Sequence, residues 1–292
     1  MQPVSPIIAF IISIGMTTAP KSHELWISPD KYLISLDDPL TAHIRIGQKF
    51  EGPSFPYVEM NFKQFEIFNG AASMPVKGRI GDSPALNRPS SAGKVDHSGL
   101  NIIAYETTAN SVTYSDFEKF RNFVTHKGYP ELVDRHKERG LQESGFKERY
   151  FRYAKSLVAV GDGKGEDKRL GLEIEIVALK NPYTDDLSGG FPVQVFYQGQ
   201  PRANAQIEVF ERGGIQMETN AKDMPRDVGV ATYQTDSLGQ AIIPVRKGRE
   251  YLVDSVVIRP LEPAINSTES SNPPVWESLW ASLTLEIPAG GK

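Results

Sequence analysis

The 292-residue chain contains no cysteine. This absence excludes disulfide bonds, thiolate metal sites, a cysteine nucleophile and a lipid anchor attached to a cysteine. Any metal site in this protein must therefore use histidine, carboxylate or backbone ligands. The composition alone removes the cysteine-dependent enzymes and the zinc-thiolate proteins before any motif is considered.

The sequence also lacks an excess of basic residues. It has 32 lysines and arginines against 36 aspartates and glutamates, which gives a net charge of −4. A protein that binds nucleic acid usually carries a basic face. We therefore predict no nucleic-acid partner.

Long hydrophobic runs are missing as well. An apolar stretch covers residues 7–16, and this is shorter than the roughly 20 residues that a membrane-spanning helix needs. A stretch of this length followed by small residues is typical of a signal peptide. We predict a signal peptide at residues 1–22, export to the periplasm and no transmembrane segment in the mature chain. The alternative is a hydrophobic first strand in a cytoplasmic protein.

Glycine and proline are plentiful by contrast, with 25 and 21 residues, and they favour turns between short strands. Leu40, Ala42, Ile44 and Ile46 alternate with polar residues, which is the period of a half-buried strand. In the second half of the chain, strand-like runs follow one another with turn residues between them, as in a β-sandwich. We predict a mainly-β protein of two β-sandwich-like units with a short helical insertion between them.

The insertion is placed at residues 115–157. Ser115 and Glu118 form a capping-box pattern, and Pro130 suits the first position of a second helix. A third helix is predicted from an apolar stripe that consists of Phe146, Tyr150, Tyr153, Ala154 and Leu157. The insertion belongs to a β domain at residues 23–160, and a second β domain follows at 161–292.

His23 is the strongest candidate for a metal ligand. If the signal peptide ends at Ser22, the free α-amino group and the imidazole of His23 can chelate one ion, and such nitrogen ligands suit Ni(II), Co(II) and Cu(II). His43, on the polar face of its strand, could supply a third nitrogen, and Glu24 could bind the ion or support a ligand. The alternative is that His23 is a polar residue at the start of a strand and His43 a surface histidine.

Motifs for catalysis are not found. The chain has no Gly-x-Ser-x-Gly motif, and Ser98 follows His97 directly, whereas the members of a catalytic triad are brought together by the fold. We therefore predict that the protein is not an enzyme. Four aromatic residues could stack against a glycan or else belong to the core: Tyr150, Tyr153, Trp276 and Trp280.

Four segments in a fixed order resemble an exported bacterial family of unknown function that was once labelled as a nickel-transport subunit. They are His-Glu-Leu-Trp at 23–26, Arg-Ile-Gly-Gln-Lys-Phe-Glu-Gly at 45–52, and the segments at 148–157 and 276–284. The resemblance implies a periplasmic protein associated with nickel or cobalt uptake and with an envelope transport component. Residues 192–258 are also similar to small Ig-like or prealbumin-like accessory domains of exported proteins, which hold partners together or bind ligands.

Two hypotheses follow from these observations. The first is a periplasmic accessory protein that binds a divalent transition metal such as nickel or cobalt through His23, Glu24 and His43. The second is a non-catalytic interaction or scaffold module of the envelope that binds a protein or a glycan.

Overall fold

The computed structural model describes residues 23–88, 98–213, 228–262 and 272–290. The predicted signal peptide at residues 1–22 lies outside these ranges. Within them, neither helix combines the length and the hydropathy that crossing a bilayer requires.

Strands make up 52% of the described residues and helices 8%, so the mainly-β class is confirmed. The two α-helices are α1, Phe117–His126, and α2, Leu132–Glu138, and a short 3-10 helix covers Glu59–Asn61. The strands are β1 Glu24–Pro29, β2 Leu33–Ile34, β3 Leu40–Gly47, β4 Ser54–Phe55, β5 Phe62–Asn69, β6 Ala72–Pro75, β7 Leu86–Arg88, β8 Gly99–Thr107, β9 Asn110–Tyr114, β10 Phe146–Val160, β11 Ile174–Ala178, β12 Phe191–Tyr197, β13 Gln200–Pro201, β14 Gln206–Gly213, β15 Gly229–Gln234, β16 Gln240–Ile243, β17 Arg249–Pro260 and β18 Pro274–Ile287.

One large sheet runs through both halves of the chain. Its strand order is β15-β14-β17-β18-β10-β8-β5-β6, with β2 and β9 also paired to β10. The strands β10 and β18 pair in parallel at its centre. Because β10 belongs to the first predicted domain and β18 to the second, the two predicted units share this central sheet. The boundary at residues 160 and 161 stays a prediction.

Two smaller sheets pack on opposite faces of the central sheet. Tyr153 and Leu157 of β10 face the sheet that contains β11, β12 and β16. Ala154 and Val158 face the sheet of β1, β3, β4 and β7. This alternation follows from the two-residue period of a strand, and it confirms the sandwich-like packing. The helices pack against the central sheet beside the second of these sheets, over Trp276 and Trp280.

The prediction of a third helix after residue 142 is wrong, because residues 146–160 form β10. The stripe at helical spacing consists largely of aromatic residues, and these also suit strands. The segment pairs with β18 on one side and with β8 and β9 on the other, so partners distant in sequence decide its conformation. The helix predicted from the capping-box pattern at Ser115 is confirmed as α1, but its N-cap is Asp116, which accepts a hydrogen bond from the Glu118 amide, and not Ser115.

The turn between β3 and β4 carries a buried aromatic side chain. Phe50 is fully buried and packs against Trp26 of β1, with ring centroids 5.5 Å apart. Gly47 and Gly52 approach each other so closely that a Cβ on Gly47 would lie 1.8 Å from the carbonyl oxygen of Glu51. Glycine is therefore required at this position, which gives the segment at 45–52 a packing role.

The strand β1 lies at the edge of its sheet, and its unpaired edge faces β18. The hydroxyl groups of Ser282 and Thr284 donate hydrogen bonds of 2.7 Å to the carbonyl oxygens of Leu25 and Ile27. These bonds satisfy backbone acceptors that an edge strand would otherwise leave unpaired. Because the edge of β1 faces the central sheet, its two faces contact different clusters: Leu25 and Ile27 belong to one hydrophobic cluster and Trp26 to another.

Candidate functional site: a pocket at His23 and a buried charge cluster at Glu24

The structure does not bring His23 and His43 together. In the antiparallel pair of β1 and β3, His43 lies opposite Ser28, five residues along the chain from His23. At about 3.3 Å per residue this separation is about 17 Å along the strand. Residues directly opposite each other share a face, so His43 lies on the face of Ser28 and His23 on the other. The predicted site that combines both histidines is therefore not formed.

His43 has its own partners. Its Nδ1 atom lies 2.9 Å from Ser54 Oγ, and its Nε2 atom lies 3.2 Å from a carboxylate oxygen of Asp30. Both ring nitrogens are engaged at the protein surface. His43 thus fits the alternative of a surface histidine, and it connects β4 with the turn that follows β1.

His23 lines a pocket of about 530 Å³ between the inner face of the β1–β3 sheet and the central sheet. Ligand pockets in proteins have volumes of this order. The wall from the central sheet is rich in aromatic and polar side chains, whereas the opposite wall is mostly apolar. The lining residues are His23, Leu25, Ile44, Ile46, Phe55, Pro56, Val58, Asn61, Tyr105, Thr107, Asn110, Val112, Tyr114, Phe123, Glu148, Tyr150, Arg152 and Trp280.

Glu148 provides a carboxyl group in the deep part of the pocket, where its side chain is 2% exposed. The hydroxyl of Tyr114 donates a hydrogen bond of 2.6 Å to one oxygen, and the hydroxyl of Ser278 donates to the other. Burial raises the pKa of Glu148, and these two hydrogen bonds offset part of that rise. The carboxyl group is therefore easier to protonate than an exposed glutamate.

Arg152 provides a cation on the same face of β10 as Glu148. Its Nη2 atom donates a hydrogen bond of 3.0 Å to the carbonyl oxygen of His23, and its guanidinium lies 4.4 Å from the ring centre of Tyr150. Its Nε atom is buried and has no hydrogen-bond partner among the described residues. In the described ranges no carboxylate pairs with Arg152 within 4.0 Å. A buried donor without a partner is costly, so this group is suited to receive a ligand atom.

His23 contributes a second unpartnered atom. Its Nδ1 is buried and forms no hydrogen bond within the part of the chain that the structure describes. The backbone carbonyl of the same residue holds Arg152 in place. Two residues that line one pocket therefore each carry a buried nitrogen atom without a hydrogen-bond partner among the described residues.

Glu24 points to the opposite side of β1 and belongs to a buried charge cluster. We use this name for Lys127, Glu24, Glu208 and Asp254. The Lys127 ammonium lies 3.2 Å from Glu24 and 3.0 Å from Asp254, and it also bonds to Glu208. All four side chains are at most 6% exposed. Because Lys127 is the C-cap of α1, the cluster fastens this helix to β1, β14 and β17.

The cluster perturbs the protonation of its members. Burial raises the pKa of Asp254 to about 7, against the lowering effect of the Lys127 ammonium. Burial also acts to raise the pKa of Glu208, but hydrogen bonds from His126 and Lys127 outweigh it and lower that pKa. The hydrogen bond to Glu208 raises the pKa of His126. One lysine thus pairs with three buried carboxylates, and one exposed histidine pairs with Glu208 as well.

The three carboxylates of the cluster are the set of described residues whose geometry could hold a metal ion, since one oxygen from each lies within 4.8 Å of the others. Oxygen ligands suit calcium, magnesium or manganese better than nickel. The Lys127 ammonium contacts all three carboxylates, so the position that an ion would need is taken by an internal cation. In the chain as it stands, the cluster is a structural ion network.

Sequence reasoning identified part of this region. His23 does line a pocket, and of the four aromatic candidates Tyr150 and Trp280 line it as well, while Tyr153 and Trp276 belong to hydrophobic clusters of the core. The predicted third helix contains Glu148 and Arg152, and the sequence analysis does not identify either as a site residue. Their i, i+4 spacing on β10 places them on one face, and recognition of the strand would have predicted this.

Comparison with known proteins identifies the family without identifying a function. A search among curated proteins gives no match. The solved D0-D1 domain of intimin is similar to 89% of this chain and 97% of its own, with 13% identity and a TM-score of 0.19, and a score this low supports no argument. Residues 21–259 match the family model described as a domain of unknown function, DUF4198. Since this match covers most of the sequence, the chain belongs to the DUF4198 family.

Proposed function

We propose that this protein is a non-catalytic binding protein whose pocket at His23, Glu148 and Arg152 takes a small polar ligand. The observation that carries the proposal is the presence of two buried nitrogen atoms, Nδ1 of His23 and Nε of Arg152, that have no hydrogen-bond partner among the described residues. Buried polar groups in proteins are normally hydrogen-bonded. A ligand in the pocket would supply the missing acceptors.

The shape and chemistry of the pocket support this proposal. A volume of about 530 Å³ suits a small molecule, and aromatic side chains surround a few polar groups. The proposal keeps the non-catalytic binding role of the second sequence hypothesis, an envelope module that binds a protein or a glycan, but assigns a small molecule as the ligand. Its location in the periplasm rests on the apolar stretch at 7–16, which is typical of a signal peptide.

The experiment that tests this function is a ligand screen with a blocked pocket as its control. Val112 lines the pocket, and the substitution Val112→Trp should fill part of it. Val230→Trp places the same side chain at an exposed position on β15, where Val230 is 46% exposed. Binding of sugars, amino acids and organic acids is measured by ligand-observed NMR against all three proteins.

We expect at least one compound to bind the wild type and Val230→Trp but not Val112→Trp. If no compound binds, or if binding survives in Val112→Trp, the pocket is not a ligand site and the proposal is refuted. Circular dichroism of the three proteins confirms that the variants are folded.

The association with nickel or cobalt, and with an envelope transport component, stays a prediction. The description of the matched family mentions no metal. In addition, His23 and His43 lie on opposite faces of the β1–β3 pair. A metal site at the amino terminus would have to use the imidazole and α-amino group of His23 without His43.

A further inference from the structure

We infer that the ligand of the pocket is an organic oxyanion, a carboxylate or a phosphate, whose apolar body lies toward the pocket mouth. This inference rests on the proposed function and names the class of ligand. Its first support is the charge of Arg152, which no carboxylate of the described residues balances within ion-pairing distance. A guanidinium presents a planar fork of donors that matches the two oxygens of a carboxylate or phosphate.

The fixed orientation of Arg152 strengthens this assignment. One arm of the guanidinium is held by the carbonyl oxygen of His23, and its face lies over the ring of Tyr150. These two contacts hold the group in place while Nε remains without a partner. An arginine held in this way loses little further side-chain entropy when it binds an anion. The unpartnered Nδ1 of His23 offers a second donor in its protonated form or in the tautomer that carries the proton there.

The remaining carboxyl group opposes an anionic ligand less than an exposed glutamate would. Glu148 already accepts hydrogen bonds from Tyr114 and Ser278. Burial raises its pKa, which favours the neutral form next to a bound anion. Glu148 is then able to exchange a hydrogen bond with a hydroxyl or amino group of the ligand.

The exposure of the lining residues indicates how the ligand would be oriented in the pocket. Glu148 lies deepest, at 2% exposure, whereas Phe55 is 41% exposed and also lines the pocket. Met60, adjacent in sequence to the lining residue Asn61, is 80% exposed. An oxyanion at Arg152 would therefore leave the rest of the molecule near apolar side chains, whose coverage is favourable. The pocket thus favours an amphipathic anion over a fully hydrophilic one.

The test compares four probes that share a phenyl ring and differ in the charge of their polar group. Benzoate and phenyl phosphate carry an oxyanion on an aromatic ring, benzyl alcohol is neutral, and benzylamine is a cation. Isothermal titration calorimetry of each probe into the wild-type protein needs no mutation and is therefore independent of any folding defect. We expect one or both anions to bind at least about tenfold more tightly than the alcohol, since hydrogen bonds to charged groups are stronger than those between neutral groups.

The variants Arg152→Gln and Arg152→Lys then locate the binding. Arg152→Gln should remove the preference for anions, and Arg152→Lys should restore only part of it because the ammonium lacks the planar fork. Arg246→Gln is the matched control, since Arg246 is 69% exposed and pairs with Glu211 away from the pocket. The relative affinities of benzoate and phenyl phosphate decide between a carboxylate and a phosphate ligand.

The outcomes separate this inference from the proposed function. If benzyl alcohol or benzylamine binds as tightly as the anions, or if anion binding is unchanged in Arg152→Gln, the assignment to an oxyanion is refuted. The proposed function survives in that case if a compound still binds in the screen and is lost in Val112→Trp. If no compound binds there either, both are refuted.

Discussion

Removal of the Lys127 ammonium is the most direct test of the charge cluster. The substitution Lys127→Met keeps a side chain of similar length and apolar body but leaves three carboxylates buried without their cation. The ammonium contacts Glu24 at 3.2 Å, Asp254 at 3.0 Å and also Glu208. It further lies 4.9 Å from the ring centre of Trp280. We therefore expect this position to be among the most sensitive lysines of the chain.

The magnitude follows from the burial of the cluster. Breaking a buried ion pair by removal of one partner costs about 3–5 kcal/mol, because the remaining charge is left uncompensated. Three carboxylates share Lys127, so the free energy of unfolding should fall by at least the lower end of this range. The whole stability of a domain is about 5–15 kcal/mol, and the variant should thus approach the limit of folding.

The assay is urea denaturation at pH 7, followed by circular dichroism. Lys137→Met is the control, because Lys137 is exposed on the neighbouring helix α2 and such surface changes stay within about 0.5 kcal/mol. Lowering the pH to 5 should reduce the loss in Lys127→Met, since protonation removes the charges that repel one another. A loss below about 1 kcal/mol, or a loss independent of pH, would show that the cluster is not the ion network described above.

A divalent cation gives a second readout of the same variant. The three carboxylates offer oxygen atoms within 4.8 Å of one another, and oxygen ligands of this kind suit calcium. We expect Ca²⁺ to raise the Tm of Lys127→Met and to leave that of the wild type unchanged, because only the variant has room for the ion. Equal shifts in both proteins would place calcium binding elsewhere in the molecule.

Three further predictions concern separate features. Because burial raises the pKa of Asp254 to about 7, the folded protein binds more protons than the unfolded chain between pH 3.8 and about 7. The free energy of unfolding should therefore decrease as the pH rises through this window. Urea denaturation of Asp254→Asn over the same pH range should show a smaller decrease. Calorimetric titration of Ni(II) should give the same result for His43→Ala as for the wild type, and any binding lost in His23→Ala but not in His43→Ala would support a site at the amino terminus alone. Phe50→Ala should lower the free energy of unfolding by about 3–5 kcal/mol, the usual cost of truncating a buried phenylalanine, and a loss below about 1 kcal/mol in urea denaturation would contradict the packing role of the turn.

The sequence predicted those parts of the fold that depend on local patterns. The alternation at 40–46 corresponds to β3, and the capping-box pattern of Ser115 and Glu118 lies at the start of α1. Both elements have one buried face and one more exposed face, so the periodicity of their apolar residues matches the burial in the structure. By contrast β10 is buried on both faces over most of its length, and no alternation marks such a strand. The spacing of its aromatic residues coincides with that of one face of a helix, which led to the wrong prediction.

The parallel pairing of β10 with β18 has no local signal at all. It joins residues 147–156 to residues 274–284, and the contact is set by the packing of the whole sheet. The burial of Lys127 is equally invisible in the sequence, since a lysine just after a helix is ordinarily a solvated residue that favours the helix dipole. Its three partners come from β1, β14 and β17. Only the assembled sheet shows that the lysine is enclosed.

The strand β1 explains why one sequence motif contributes to two different sites. His23 and Glu24 are neighbours, and the metal hypothesis treated them as one group of ligands. In a strand successive side chains point to opposite faces, so His23 enters the pocket and Glu24 enters the charge cluster. Trp280 connects the two, because it lines the pocket and also contacts Lys127. A change in the cluster that moves this ring should therefore alter ligand binding, whereas the exposed Lys137 should have no such effect.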